Sequence, residues 1–336
     1  MPAPYPLRLQ PLFRDYLWGG RKLQSVLSKP LPPEGTWAES WEVVDHPEHS
    51  SQITNGPCAG QNLAQLSAEY REWLLGTASS HSSLPLLLKY LDCQRVLSVQ
   101  VHPDDAYASR MSPPDLGKTE AWMIIAAQPG ACLYAGLQSG VTRQDLQQAL
   151  VAGEVERCLH VIYPAAGDCV FIPAGTVHAL GAGLLVAEIQ QASNTTFRLF
   201  DWNRVDATGQ PRALHIEQSL EVIDFDSGPR PLQTPQATGV VGRERLVACD
   251  KFVLDRLQPS AGSTATDSAT CDSTSISVGG DQRLHLLTVP AGTATLSWEG
   301  QQETATTGQS LLIPAAMEEL TAQLAPGTVL LDMYLP

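Results

Sequence analysis

The chain has 336 residues, enough for about two domains of ordinary size. Its hydrophobic content of 43% and charged content of 17% exclude global disorder. A net charge of −14 argues against nucleic acid and anionic membranes as partners, so an anionic substrate would depend on a few local cations. The N-terminus, MPAPYPLRLQPLF, has no charged segment followed by an apolar one, so no signal peptide is expected. The longest apolar runs, such as LPLLLKYL, are too short to span a bilayer, and a cytoplasmic location is expected. Seven cysteines with no CxxC pair give neither a disulfide framework nor a thiolate metal site.

Residues 1–60 read as short strands and turns. Residues 62–75 read as a helix with Leu63, Leu66, Tyr70, Trp73 and Leu74 on one face. LPLLLKYLD and RVLSVQVH then read as two paired buried strands. In the second, Ser98, Gln100 and His102 alternate with Leu97, Val99 and Val101, so one strand face carries hydroxyl, amide and imidazole. Residues 103–118 lack periodicity and hold three prolines, which predicts a long loop suited to a lid. EAWMIIAAQ and CLYAGL follow as strands. TRQDLQQALVAG is a helix with Thr142 as N-cap and Asp145 three residues on. GDCVFIPAGTVHALGAG, LLVAEIQQ and TTFRLFDW form a run of strands and glycine turns, and LHIEQSLEVID a short helix.

In these strands Glu188 and Gln190 should share one face, and Thr196, Arg198 and Phe200 another. Residues 231–245 read as a linker between a larger domain, 1–230, and a smaller β domain, 246–336. The Ser/Thr-rich stretch 259–277 reads as an exposed loop in the latter. GDCVFIPAGTVH (167–178) is echoed by GQSLLIPAAMEE (308–319), which suggests a repeated β module. Glu319 stands where His178 stands in the first copy, and the second copy is expected to be structural.

The spacing G-x5-P-x-G-x2-H in residues 167–178 resembles the second motif of the cupins, double-sheet β-barrels whose motif histidine binds a metal. The expected fold is therefore mostly β: a catalytic cupin barrel with helical insertions and a smaller, degenerate cupin-like C-terminal domain without a metal site. The first cupin motif supplies H-x-H and then a carboxylate. Gln100-x-His102 occupies the H-x-H position and Glu120 is the carboxylate candidate. Two imidazoles with oxygen donors suit a divalent transition metal, Zn2+ before others, with positions left open for water or substrate.

Six motifs in order (YLWGG, SVQVHPDD, GKTEAW, IPAGTVHALGAG, LVAEIQQ and TTFRLFDWNR) resemble the short bacterial form of the type I mannose-6-phosphate isomerase family over residues 5–225. The resemblance implies interconversion of mannose 6-phosphate and fructose 6-phosphate with one bound zinc per chain. It implies Gln100, His102, Glu120 and His178 as metal ligands, Arg198 as an active-site arginine and Lys118 as a pocket lysine. It also implies Glu188 as a proton-transfer carboxylate, and Ser98 and Lys89 as positions near the substrate phosphate. Relatives often carry Ser-Asp where this chain has Ser193-Asn194, so no carboxylate role passes to that position.

Moving a proton between C1 and C2 of an open-chain sugar needs a base, a means of holding charge on O1 and O2, and a grip on the phosphate. Glu188, Arg198 with the metal, and the basic residues supply candidates for each. Two other classes stay open: an Fe(II) cupin oxygenase using the two-His, one-carboxylate set, and a sugar-phosphate-binding cupin without turnover. Monomer and homodimer both stay open.

Overall fold

Strand alternation decides the layering. Along Leu184–Gln191, Leu185, Ala187 and Ile189 pack on one side and Leu184 and Val186 on the other, and every residue of the strand is buried. Both faces of this strand are therefore covered, and the sequence correspondingly lacks a solvent-facing polar stripe. The computed structural model describes residues 2–205, 209–259 and 274–336.

Leu184–Gln191 lies inside a six-stranded antiparallel sheet, in the order Leu12–Arg14, Glu39–Val43, Leu86–Cys93, Leu184–Gln191, Glu120–Ala127, Cys169–Ile172. A five-stranded sheet faces it, in the order Phe197–Phe200, Val99–Val101, His178–Leu180, Leu133–Leu137, Leu159–Ile162. Trp122, Ile124, Leu133, Leu180 and Val186 fill the space between them. The outer side of the five-stranded sheet is covered by the helices Arg143–Ala152 and Ile216–Val222, through Leu146, Ala149 and Leu220. Thr142 and Asp145 cap the first of these reciprocally, as their spacing predicts. The helix Leu63–Leu75 starts at a second capping box, Asn62 with Gln65.

A second pair of sheets forms the C-terminal part. Its six strands run Gln236–Ala237, Arg243–Ala248, Val253–Leu257, Val329–Tyr334, His285–Ala291, Ser310–Ile313; its four run Thr274–Val278, Leu320–Leu324, Thr293–Trp298, Gln301–Thr306. The two six-stranded sheets meet back to back through Leu88, Tyr90, Met123 and Ile189 on one side and Leu254, Leu286, Leu331 and Met333 on the other. The N-terminus ties the halves together: Leu7 exchanges two backbone hydrogen bonds with Leu312. Of the expected linker 231–245, Gln233 N bonds to the first barrel at Cys169 O, next to the Arg230 N to Ala135 O bond that precedes it, while Gln236–Ala237 and residues 243–245 are strands of the second barrel.

Three expectations change. LPLLLKYLD and RVLSVQVH are not paired: Leu86–Cys93 has both edges taken by Glu39–Val43 and Leu184–Gln191, and Val99–Val101 crosses to the opposite sheet. The 103–118 loop contains a one-turn helix, Asp105–Ala108, capped by the Asp104 side chain. Of the stretch 259–277 expected to be a loop, residues 274–277 belong to a strand, and 260–273 lie outside the described residues. The six described cysteines are free thiols. No helix among the described residues is long and apolar enough to cross a membrane.

The echo between residues 167–178 and 308–319 is structural. Cys169–Ile172 and Ser310–Ile313 close their sheets at the same edge. Ile172 pairs with Glu120 as Ile313 pairs with His285, and the same register sets Asp332 opposite Leu287 where Glu188 is opposite Trp122. In the second barrel these polar positions satisfy one another. His285 Nδ1 donates to Asp332 (2.7 Å) and its Nε2 to Asp281 (3.1 Å), while Arg243 bridges Asp332 and Asp255.

Burial opposes the charge on His285, but the Asp332 and Asp281 carboxylates outweigh it and raise its pKa to about 9. A raised folded-state pKa stabilises fully below the ordinary value near 6.5, and the contribution disappears as pH climbs through 9. The displacement corresponds to roughly 3 kcal/mol. The thermal unfolding temperature should therefore fall between pH 7 and 10 in the natural chain and much less in His285→Gln; equal pH dependence in both would contradict the assignment.

Candidate active site

The opening of the first barrel gathers the polar faces of five strands. Glu120 begins its strand and pairs with Ile172 and Gln190; Gln100 pairs with both His178 and Arg198. His178 arrives by the turn that the motif requires. Gly167 (φ +94°) and Gly175 (φ +84°) take left-handed conformations that favour glycine, and Gly175 N donates to His102 O at 2.9 Å. The two histidine-bearing segments are thereby joined at the backbone.

His102, Glu120 and His178 are buried, and their ligand atoms lie within 4.8 Å of one another. His102 Nε2 is 3.5 Å and His178 Nε2 3.3 Å from the Glu120 oxygens. Each histidine turns Nδ1 to a backbone carbonyl, Thr195 O at 3.0 Å and Thr176 O at 2.8 Å. A carbonyl only accepts, so the proton sits on Nδ1 and the Nε2 lone pairs face the cluster. Burial holds His178 down at about 4 and His102 well below its usual value, with the Lys118 charge adding to both, so both rings are neutral as metal ligation requires.

Both oxygens of Glu120 are buried without a hydrogen-bond partner. Burial raises its pKa to about 7 against the opposing pull of Lys118. A buried carboxylate set between two imidazole lone pairs, met among the described residues by Lys118 alone as a cation, is a donor set that fits a divalent metal. The Gln100 amide reaches the same place, 3.2 Å from His178 Nε2. Lys118 is also here, its Nζ 3.0 Å from His102 Nε2 and 3.1 Å from Glu120.

Next to the cluster a cavity of about 320 Å3 is lined by Ser98, Gln100, Lys118, Glu188, Asn194 and Arg198, with Lys89, Trp18 and Trp122 in its walls. Glu188 receives Trp122 Nε1 at 2.9 Å and Lys89 Nζ at 3.1 Å. Burial works to raise its pKa, but Lys89 and Lys118 win and hold it below the usual carboxylate range. Lys89 in turn stays charged: burial opposes this, and Glu188 and Glu39 outweigh it. Its charge is thus committed inside the wall. Arg198 is fixed by His215, which accepts from Arg198 N (3.1 Å), and by Ala213 O, which accepts from Nη1 (2.8 Å). Its Nε is buried and has no partner.

The structure thus brings the candidate ligands His102, Glu120 and His178 to one cluster, and Gln100, Lys118, Glu188, Arg198, Ser98 and Lys89 to the adjoining cavity. One facing differs. A bulge between Arg198 and Phe200 shifts the register, so Phe200 joins Phe197 in the outer core while Thr196 and Arg198 line the cavity. Trp18 both packs in the barrel core and lines the cavity. Asn194 lines the cavity and donates to Glu48 at 2.8 Å. Several contributors were not evident from sequence. Trp122 shares the strand face of Glu120, and alternation could have found it. Asp115 had no such signal: it accepts from Ser193 Oγ (2.8 Å) and Thr195 Oγ1 (2.6 Å), fixing the segment whose carbonyl orients His102.

The family model described as phosphomannose isomerase type I, catalytic domain, matches residues 7–134. A mannose-6-phosphate isomerase from Streptococcus mutans is 41% identical over 242 residues, covering 72% of this chain and 74% of its own. The mannose-6-phosphate isomerase ManA of Bacillus subtilis is 39% identical over 224 residues, covering 67% of this chain and 70% of its own. The crystal structure of a Bacillus subtilis mannose 6-phosphate isomerase aligns with a TM-score of 0.86 at 27% identity, over 98% of this chain and 99% of that one. The fold is the cupin fold of these proteins.

If Asp115 orients His102 through Thr195, Asp115→Ala should weaken metal retention about 10- to 100-fold while leaving the protein folded. His102→Ala should lose the metal outright. Chelator competition followed by metal analysis measures both, and wild-type retention in Asp115→Ala would remove Asp115 from the chain of contacts.

Proposed function

The chain belongs to the type I phosphomannose isomerase family, and from that premise we propose that it interconverts mannose 6-phosphate and fructose 6-phosphate with one zinc ion held by Gln100, His102, Glu120 and His178. The observation that most supports this is the buried Glu120 carboxylate set between two neutral imidazoles, which opens beside a cavity carrying both a committed anion, Glu188, and cations. When bound, the metal supplies Lewis-acid polarisation of the sugar oxygens.

The remaining work falls to side chains. The open-chain aldose lies with C1 and C2 toward Lys118 and Glu188. The Glu188 carboxylate takes the C2 proton. The electron pair passes into the C1–C2 bond, and charge develops on O1 of the enediolate. Lys118 and Arg198 hold the charge on O1 and O2, and Lys118 is placed to move a proton between them. Return of the carbon-bound proton to C1 completes the ketose, with no net change in protons. Trp122 and Lys89 keep Glu188 ionised and oriented. A low pKa limits its strength as a base, and polarisation of the substrate carbonyl offsets that limit. Ser98 lies along the wall from Gln100 toward the outer end of the substrate. Residues 1–230 act as the catalytic unit and 246–336 as a supporting barrel without a metal of its own.

The test is conversion of mannose 6-phosphate with coupled detection of fructose 6-phosphate. Turnover supports the assignment. Metal-loaded protein that binds the sugar phosphate without turnover would make it a binding protein instead. Glu188→Gln should lower kcat by about 10²- to 10⁴-fold with metal content unchanged; an unchanged kcat would show that another group is the base.

A further inference from the structure

Beyond Arg198, a second guanidinium, Arg212, lines the cavity, and one carboxylate, Asp201, serves both it and Arg204 behind it. Asp201 is buried and follows directly on the Phe197–Phe200 strand. It accepts from Arg212 through both oxygens, Nε to Oδ2 at 2.8 Å and Nη2 to Oδ1 at 2.5 Å, and Oδ1 also accepts from Arg204. Burial works against its charge, but Arg212 and Arg204 hold it ionised.

The two arginines are not equivalent. Arg204 is tied to structure: Nη1 donates to Val96 O at 2.5 Å and Nε to Asp201 O at 3.2 Å. Arg212 has one edge clamped by Asp201 and lines the cavity with Arg198 and Ser98, its side chain 37% exposed. Arg212 also lines a neighbouring open cleft with Tyr16 and Arg95, so it stands where the cavity meets solvent.

The charge count points the same way. Arg204 and Arg212 pair with Asp201, and Arg198 lies near enough to interact with all three charges, an excess of two positive charges in a chain whose net charge is −14. Mutual repulsion among fixed guanidiniums is unfavourable unless an anion joins them. A phosphate monoester carries close to two negative charges at neutral pH and suits bidentate guanidinium contact. Lys89, by contrast, spends its charge on Glu188 and Glu39 inside the wall.

We propose that Arg212 is the residue that grips the substrate phosphate at the cavity mouth, with Asp201 positioning its guanidinium. This rests on the isomerase assignment and deepens it: the reacting end lies at Lys118 and Glu188, and the phosphate end lies outward at Arg212, with Ser98 between. Specificity for a phosphorylated sugar over the free sugar then comes from Arg212.

The test compares wild type, Arg212→Met, Arg212→Lys and Arg95→Met by steady-state kinetics and by calorimetric titration with inorganic phosphate. A charge-assisted contact of this kind predicts that Arg212→Met raises KM for mannose 6-phosphate about 10- to 100-fold and weakens phosphate binding in parallel, with kcat changed less than about 3-fold. Arg212→Lys should recover part of both, and Arg95→Met should leave both within about 2-fold. Unchanged KM and phosphate affinity in the Arg212 variants overturn the proposal while leaving the isomerase assignment standing. An inactive wild type overturns the isomerase assignment, and phosphate titration then decides Arg212 alone: loss in Arg212→Met supports it. Equal binding, or none in wild type, overturns it. Should Arg212→Met fail to fold, Arg212→Lys carries the same comparison.

Discussion

A carboxylate with no exposed surface, set between two neutral imidazoles, is the constraint around which this protein is arranged. Glu120 is in that position. Left alone it would be driven toward its neutral form, and Lys118 at 3.1 Å offsets only part of the cost. The arrangement is stable in its charged form when a cation joins the cluster, and the surroundings are built for one. The histidine protons are pinned to Thr195 O and Thr176 O. The two ligand segments are joined by the Gly175–His102 hydrogen bond. The long loop from Pro103 returns Lys118 to the cluster, its backbone N donating to Pro103 O at 2.9 Å.

The C-terminal barrel shows what the same ladder does when its charges balance. At the positions of Glu120 and Glu188 it carries His285 and Asp332, and at those of Lys89 and Glu39 it carries Asp255 and Arg243. There the charges pair with one another. In the first barrel the corresponding row pairs Lys89 with Glu188 and Glu39, and Glu120 has no partner within that row, only Lys118 brought in by the loop. One fold thus gives a closed ionic network in one copy and an unfinished site in the other, through a handful of side chains on matching strands. Function lies in those residues rather than in the barrel itself.

Much of this was legible in the sequence because it follows period-two alternation and fixed turn spacing. Ser98, Gln100 and His102 announced a polar face, the Gly167–His178 motif announced a turn and a ligand, and Thr142 announced a helix start. Strand partnership was less legible. Two adjacent apolar segments looked like a hairpin, yet pairing is decided by distant strands that occupy both edges of Leu86–Cys93. The facing of Phe200 was hidden by a bulge, which alternation cannot reveal. Arg212 and Asp115 were hidden for another reason: each sits on an aperiodic segment, and its importance lies in what the fold sets beside it.

The central claim is that one metal at the His102–Glu120–His178 cluster makes the site competent. The most direct measurement strips the protein with chelator, titrates Zn2+ back, and follows mannose 6-phosphate turnover against bound metal. Activity should be absent at zero metal and rise linearly to a plateau at one equivalent per chain. Full turnover in metal-free protein, or a plateau independent of metal at this cluster, would contradict it.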